Sequence, residues 1–506
     1  MSQEIKVGKY TLESLTTGMY KDPRITYREY IQNSVDSLEM AMNSNIINFD
    51  EARIEIRIDD DDRKIIIYDN GTGIKTIEAY RILTSIGDSK KSHSENRGFR
   101  GIGRLGGLSY CNKLRFITSS KGEQVKSIIE YDCKRLKELL RPGEYDDYDL
   151  SKVINEITNY KIEEELINEH YFIVEMEGVD SLCGLLDMDN VKSYLRQTAP
   201  LPYKKKFIWR SKIQEIFDEN NVVITEFPIF IGETGGKLEQ LFKPNSDKFY
   251  ANKRQKQHDE LSDIKTFCIT DDNDILAIGW YGVCNFYGKI IEKELTGLRV
   301  RKGNILIGDD TLLNNIFRED RFNGWVQGEV FIISNQLIPN ARRDDFEQNE
   351  VYLKLIDELS QKVGDDIVKA IRESSKNRNN DLNKKVNQAS NVINEIKELE
   401  SDGFNSKVEK KAYIGELDKI KKEVSGVKAT NLVEEKKKED ILREIDIVSE
   451  EIEKSNNYKA NQIKDIGKKE RKVLHIVTDI LSIYLDKCTV DMLISEIKNS
   501  LTKGRE

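Results

Sequence analysis

Apolar residues recur along this chain at two different periods. In the first third they recur at a period of two. Arg53–Ile58 and Lys64–Tyr68 alternate or run apolar as strands do, with Asp59–Asp62 between them as a turn. Lys113–Ser119, Gln124–Tyr131 and Phe172–Met176 carry the same signature and predict further strands. Helical patterning takes over around Asp180–Thr198. It ends at Ala199-Pro200-Leu201-Pro202, where the prolines predict a junction. A second α/β region runs from there to about residue 350. Beyond it the apolar spacing becomes 4-3-4-3. Leu382, Val386, Ala389, Ile393 and Ile396 form one such seam. Ile441, Ile445, Val448 and Ile452 form a second, and Val473, Val477, Ile480 and Tyr484 a third. Ser401-Asp402-Gly403, Gly426 and Asn456-Asn457 predict the breaks between these helices. An antiparallel helical hairpin or short coiled coil followed by a terminal helix fits the seams, and an ordinary helical bundle fits them equally.

Composition sharpens this division. At roughly 100–200 residues per domain, 506 residues predict about three domains. We place them at 1–190, 191–350 and 351–506. All seven prolines lie at or before Pro339, so the long Lys- and Glu-dense remainder is read as all-helical. The fold class is therefore mixed α/β (α+β) with a helical C-terminal region. The net charge of -9 argues against a broad nucleic-acid-binding face, although Lys204-Lys205-Lys206 and Lys436-Lys437-Lys438 are local basic stretches. No apolar run approaches the ~18 residues of a membrane span. The opening MSQEIKVGKY lacks the apolar core of a signal peptide. Six scattered cysteines without a CxxC pair read as reduced thiols, so a cytoplasmic protein is expected. Four histidines without metal-ligand spacing argue against a zinc enzyme.

Three motifs carry candidate chemistry. Arg28-Glu29-Tyr30-Ile31-Gln32-Asn33-Ser34-Val35-Asp36-Ser37 lies on a predicted helix. Glu29 and Asn33 are four apart and share a face, with Asp36 near one further turn along. A carboxylate there can orient or deprotonate a water, and an amide oxygen can ligate Mg²⁺. Asp69-Asn70-Gly71-Thr72-Gly73-Ile74 follows directly on a predicted strand. A carboxylate at a strand end can accept from an exocyclic amine, and the glycines let a base approach the backbone. Gly98-Phe99-Arg100-Gly101-Ile102-Gly103-Arg104-Leu105-Gly106-Gly107-Leu108 is a glycine-rich entry to a helix, a source of N–H groups for phosphates. It is neither a Walker loop nor a dinucleotide fingerprint. The polar stretch Ser85–Ser92 before it reads as a lid.

In order and spacing, the three motifs resemble those of the Bergerat-fold GHKL ATPases, the superfamily of gyrase, HtpG-type chaperones, histidine kinases and MutL. The resemblance covers roughly residues 10–350. It implies an α/β sandwich binding ATP with Mg²⁺. Glu29 then matches the general base and Asn33 the magnesium ligand. Asp69 matches the adenine-reading aspartate, with Gly71 and Gly73 beside the base. Gly98, Gly101, Ile102 and Gly103 match the phosphate loop, and Asp36 a residue lining the pocket. Ser37 stands where an alanine is usual. No Gly-Thr precedes Phe172–Met176, where family members often carry a supporting threonine.

Leu337–Phe346 resembles the transducer segment of the chaperone branch, which places a cation on the γ-phosphate. Arg343 is the best match, and Arg342 the alternative. His475 is read as a packed helix residue, against a histidine kinase. Arg299-Val300-Arg301-Lys302-Gly303-Asn304 is a further basic segment left without a role, open to nucleotide, partner or water.

The resemblance implies a slow ATPase working as a homodimeric clamp on a protein partner, with the helical tail as contact. Stand-alone bacterial proteins of this kind resemble stress-response or phage-defence (antiviral) components. Two other readings are an ATP sensor without turnover in a multiprotein complex, and a MORC-like DNA clamp.

Overall fold

The computed structural model describes the chain except residues 1–6, 16–17, 19–21, 88–102, 255, 273, 379–380, 428, 430–431, 459–467, 486–488, 491–492, 495 and 498–506. It divides into two compact units. One comprises Met1–Phe249, Leu261–Cys284 and Gly288–Val368, and the other Tyr250–Glu260, Asn285–Tyr287 and Lys369–Glu506.

The first unit begins with an eight-stranded sheet. Its strands are β1 (Ile54–Asp59), β2 (Lys64–Asp69), β3 (Lys113–Ser119), β4 (Val125–Asp132), β5 (Thr158–Glu164), β6 (Tyr171–Glu177), β7 (Ile229–Glu233) and β8 (Glu239–Gln240). They lie in the order β5-β4-β3-β6-β2-β1-β7-β8. Only the β1–β7 pair is parallel.

One face of this sheet is apolar. Ile54, Ile56 and Ile58 of β1 join Ile65 and Ile67 of β2 in the core. The helices that cover it are α1 (Tyr10–Leu15), α2 (Ile25–Asn43), α3 (Thr76–Thr84), α4 (Cys133–Leu139), α5 (Leu150–Ile157) and α6 (Met188–Thr198). From α2, Tyr27, Tyr30, Ile31, Val35 and Leu38 enter the same core. The opposite face carries cross-strand ion pairs, among them Arg115–Glu130 at 3.0 Å and Lys64–Glu175. This is the one-sided burial expected of a mainly antiparallel sheet.

The patterned strands appear within a residue or so of their expected ends. β5 was not foreseen: it is an edge strand, exposed at most positions, so it has no buried side to imprint alternation. The helix expected over Asp180–Thr198 is shorter. A single turn at Ser181–Cys183 precedes α6, which starts at Met188 because the Asp187 side chain caps Asn190 N–H at 3.0 Å.

After α7 (Arg210–Glu219) and the two-stranded ribbon of β9 (Lys248–Ala251) and β10 (Gln257–Glu260) comes a second sheet. It is built from β11 (Asp263–Asp271), β12 (Asp274–Val283), β13 (Gly297–Lys302), β14 (Ile305–Ile307) and β15 (Gln327–Ile332), in the order β11-β12-β15-β13-β14. Every residue of β15 is buried, and all of β13 but its last. Arg299 and Arg301 therefore point into protein, which settles the basic segment as internal. Helices α8 (Glu350–Leu359) and α9 (Asp365–Arg378) follow.

In the second unit α10 (Asp381–Asp402), α11 (Lys407–Gly426) and α12 (Leu432–Lys454) each pack on the other two. Their shared core includes Ala389, Ile393, Ile396, Leu417, Val424, Ile441, Ile445, Val448 and Ile452. The first two seams are thus correct, and they close into an ordinary three-helix bundle rather than an isolated hairpin. All three breaks fall where expected, with Gly403 at φ 89 ending α10.

The third seam is corrected. Among the described side chains of α13 (Lys468–Tyr484) the buried ones are Leu474 and Thr478; of the expected seam Val477 is half-buried, Val473 and Ile480 are 60% and 51% exposed, and the Tyr484 side chain lies outside the described ones. His475 packs edge-on against Tyr458 with ring centroids 5.3 Å apart. Among the described residues no helix is long and apolar enough to cross a membrane.

Candidate functional site

Glu29 sits in the first half of α2, a helix whose apolar stripe is locked into the core. Its carboxylate is nonetheless buried, with the residue 6% exposed. The same helix buries Arg28, Gln32 and Asp36. Positions 29, 32, 33 and 36 follow i, i+3, i+4, i+7, so they form one polar stripe beside the apolar one. Asn33 lies in this stripe and is half-buried.

This stripe is short of partners. Glu29 Oε1, Arg28 Nε and both amide atoms of Gln32 are buried without a hydrogen bond from the protein. Native interiors leave few such atoms, and a cluster of them on one helix face is what a bound polar ligand or water would complete.

Asp69 ends β2. The period of two that buries Ile65 and Ile67 also puts Asp69 on the covered face, at 1% exposure. Its Oδ1 accepts the Gly71 N–H at 3.0 Å. The loop that follows is clamped from several elements. Ser37 Oγ accepts the Thr72 N–H at 3.1 Å, and Thr118 Oγ1 accepts the Ile74 N–H at 2.8 Å. The Thr118 hydroxyl in turn donates to Tyr171 O at 3.0 Å, and His170 Nδ1 lies 2.9 Å from Gly71 O. Gly71 lies so close to Ser37 that a Cβ would fall on its hydroxyl. Gly73 has φ 61, and a Cβ there would collide with Ser119 O.

The glycine-rich segment enters the described residues at Gly103. There a Cβ would fall on Glu29 Oε2, so glycine is what lets this backbone reach the carboxylate. The short 3-10 helix Gly103–Ser109 is fastened to α2 through Tyr30, whose hydroxyl donates to Arg104 O and accepts from Gly107 N–H, both at 3.1 Å. Burial pushes the Tyr30 phenol well above its ordinary range, so it stays neutral. Gly98, Gly101, Ile102 and most of the expected lid lie outside the described residues.

The most distant contributor in sequence is Arg343. Pro339 and Phe346 bridge across a tight turn. Asn340 pins it, with Nδ2 donating to Asp344 Oδ1 at 2.7 Å. Arg342 pairs outward with Asp344 at 3.0 Å and is more than half exposed. Arg343 turns inward at φ 57, a left-handed conformation that costs an arginine about 1–2 kcal/mol. Its Nε lies 3.1 Å from Glu29 Oε1, the side chains only 12% and 8% exposed. The two charges are in ion-pair range without hydrogen-bond alignment, since Oε1 accepts no bond. The turn is also held to α2 by Arg28 Nη2, which donates to Arg342 O at 3.1 Å. Of the two candidate arginines, Arg343 is the one that meets Glu29.

Sequence reasoning thus named Glu29, Asn33, Asp36, Asp69, Gly71, Gly73, Gly103 and Arg343. The fold brings Arg343 and Gly103 against Glu29, and holds Gly71 on Asp69. It missed Gln32, Thr118 and His170. Gln32 had a signal, as it shares the Glu29 stripe. Thr118 and His170 had none, because Thr118 arrives on β3 and His170 from the loop just before β6.

Residues 24–163 match the family model described as histidine kinase-, DNA gyrase B-, and HSP90-like ATPase. This chain carries a GHKL-type ATPase domain. The GHKL match spans α2, β2 and the Gly103 segment, which hold the motifs of the candidate cleft, but it ends well before Arg343. GHKL domains bind ATP, generally with Mg²⁺. The unpartnered polar atoms on α2 fit a polar ligand. No protein in the curated set matches the chain significantly.

Proposed function

We propose that this protein binds Mg-ATP between α2, the loop after Asp69 and the Gly103 segment, and hydrolyses it slowly. One observation carries the reading: a buried carboxylate, Glu29, meets both a glycine backbone and an arginine 314 positions away, inside a segment of matched ATPase type. ATP supplies a phosphoryl group to be transferred to water and a polyanion for Mg²⁺. Asp69 accepts a hydrogen bond from the adenine amine at its carboxylate. Asn33 offers its amide oxygen to the metal. Glu29 orients a water and takes its proton. Arg343 places a fixed positive charge where negative charge develops.

The Glu29–Arg343 pair also supports gating. In the pair the Glu29 carboxylate faces the Arg343 guanidinium, and it is released toward a water when Arg343 turns toward a third phosphate. That supports slow turnover, and it also favours the second reading, an ATP sensor whose binding matters more than its hydrolysis.

The test is steady-state phosphate release with and without Mg²⁺ by wild type, Glu29→Ala and Asp69→Asn. We expect a magnesium-dependent rate, lost in Glu29→Ala with binding retained, and weakened binding in Asp69→Asn. A magnesium-dependent rate that survives both substitutions overturns the assignment.

Beyond the site, we propose that ATP closes the segment near residues 83–105 and pairs two copies through their N-terminal domains. The helical bundle then presents a contact for a protein partner or a second copy. Light scattering with and without ATP reads the pairing, and an unchanged mass overturns it.

A further inference from the structure

An open groove lies at the β7–β8 margin of the eight-stranded sheet, and its lining shares no residue with the Glu29–Asp69 cleft. Its volume is about 600 Å³, and its lining includes Arg196, Lys204, Lys237, Leu238, Glu239 and Phe242. That volume suits a small molecule. Arg196 comes from the last turn of α6, Lys204 from the segment after the Pro200–Pro202 junction, and Lys237 from the turn between β7 and β8. Three separate pieces of chain thus bring cations to one concavity.

Their charge is not balanced there. Glu239 is the carboxylate in the lining, and it is already shared between Lys192 at 2.7 Å and Arg196 at 3.5 Å. Arg196 Nε is buried and has no hydrogen-bond partner. Burial, reinforced by Arg196 and Lys206, lowers the Lys204 ammonium below its usual range, while Glu294 offsets this in part. Leu238 and Phe242 give the groove an apolar wall. Arg196 and Lys204 are partly buried, and Arg196 shares Glu239 with Lys192, so an anion placed among them supplies counter-charge that Glu239 does not complete.

We propose that this groove is a second ligand site, taking a small organic phosphate. The phosphate lies among Arg196, Lys204 and Lys237, and its apolar or aromatic part lies on Leu238 and Phe242. The basic stretch at Lys204–Lys206 thereby acquires a role that the ATPase reading does not give it.

The experiment is calorimetric titration of the full-length protein with 4-nitrophenyl phosphate, a phosphate monoester carrying an aromatic ring but no adenine. Wild type is compared with Lys204→Glu, Lys237→Glu, Phe242→Ala and Asp69→Asn. Lys237 is exposed on its turn, so Lys237→Glu leaves folding undisturbed, and thermal melts check each variant. We expect saturable binding whose Kd rises about tenfold or more in each lysine variant, the loss of one charge-assisted bond. A smaller rise is expected in Phe242→Ala and none in Asp69→Asn. Unchanged binding in both lysine variants overturns the proposal. Binding lost in Asp69→Asn alone also overturns it, and assigns the probe to the first cleft. If 4-nitrophenyl phosphate does not bind and the lysine variants instead weaken a salt-sensitive DNA duplex interaction, the face is a nucleic-acid contact and the small-ligand site is wrong.

Discussion

Two buried arginine–glutamate pairs lie in the first unit, and their surroundings differ in kind. Arg301 on β13 and Glu329 on β15 form the centre of a network in which each side chain has several partners. Arg301 also donates to Asn304 O at 3.1 Å and Gln197 O at 3.0 Å. Glu329 also accepts from Tyr203 and from Lys243 at 3.1 Å, and Trp280 Nε1 donates to Tyr203 at 3.0 Å. Burial alone raises the Glu329 carboxyl, but the Arg301 and Lys243 charges outweigh it and hold the group at about 2.

The Arg343–Glu29 pair is set differently. Its geometry is misaligned, its arginine backbone is strained, and Glu29 Oε1, Arg28 Nε and both Gln32 amide atoms are buried without a hydrogen bond. A satisfied network holds a fold together, whereas an incomplete one marks a place where something else binds or moves. Burial and opposite charge alone do not separate structure from site; partner completeness does.

The comparison can be broken by experiment. The largest effect expected is on turnover: Glu29→Ala lowers phosphate release by about 10²–10⁴-fold, the usual worth of a general base, with stability near wild type. A large stability loss with little change in rate would reverse the roles of the two glutamates. Next is Glu329→Gln, which leaves Arg301 and Lys243 facing a neutral group and costs about 3–5 kcal/mol in denaturant unfolding. It has a pH signature as well. The Glu329 carboxyl sits at about 2 in the fold against 4.5 for the free group. Its stabilisation is therefore complete above the unfolded value and is lost as pH falls through the window between the two. Glu329→Gln flattens that part of the melting-temperature profile, and an unchanged profile removes Glu329 as the anchor.

Asp69→Asn is expected to weaken ATP binding by about 10–100-fold, one charge-assisted hydrogen bond, as read by calorimetry. Arg343→Gly sharpens the contrast further. It relieves about 1 kcal/mol of left-handed strain while losing a poorly aligned pair, so stability moves within about 1 kcal/mol, while the rate of phosphate release changes. Destabilisation as large as that of Glu329→Gln would make both pairs structural. The smallest effect is Ser37→Ala, which frees Thr72 N–H. About 1 kcal/mol, or a few-fold in ATP affinity, is expected.

Much of the fold was legible where one face of an element is buried. β1 and β2 alternate because only one side meets α2, and the first two helical seams are apolar because three helices share them. Legibility failed where that asymmetry is missing or shared. β5 is an exposed edge. On α13, Val473 and Ile480 have the right spacing, but the packing rotates Leu474 and Thr478 inward instead. A helix with apolar residues on two adjacent stripes does not announce which one a neighbour takes.

The sequence by itself determined the motif residues of the cleft on α2 and after β2, because each motif is local: a helical period places Glu29 with Asn33 and Asp36, and a strand end places Asp69 before its glycines. Only the tertiary structure decided that Arg343 rather than Arg342 reaches Glu29, that Thr118 and His170 hold the Asp69 loop, and that Arg196, Lys204 and Lys237 share a groove. Those are contacts between residues far apart in the chain. They depend on strand order and on how helices dock, which no local period encodes.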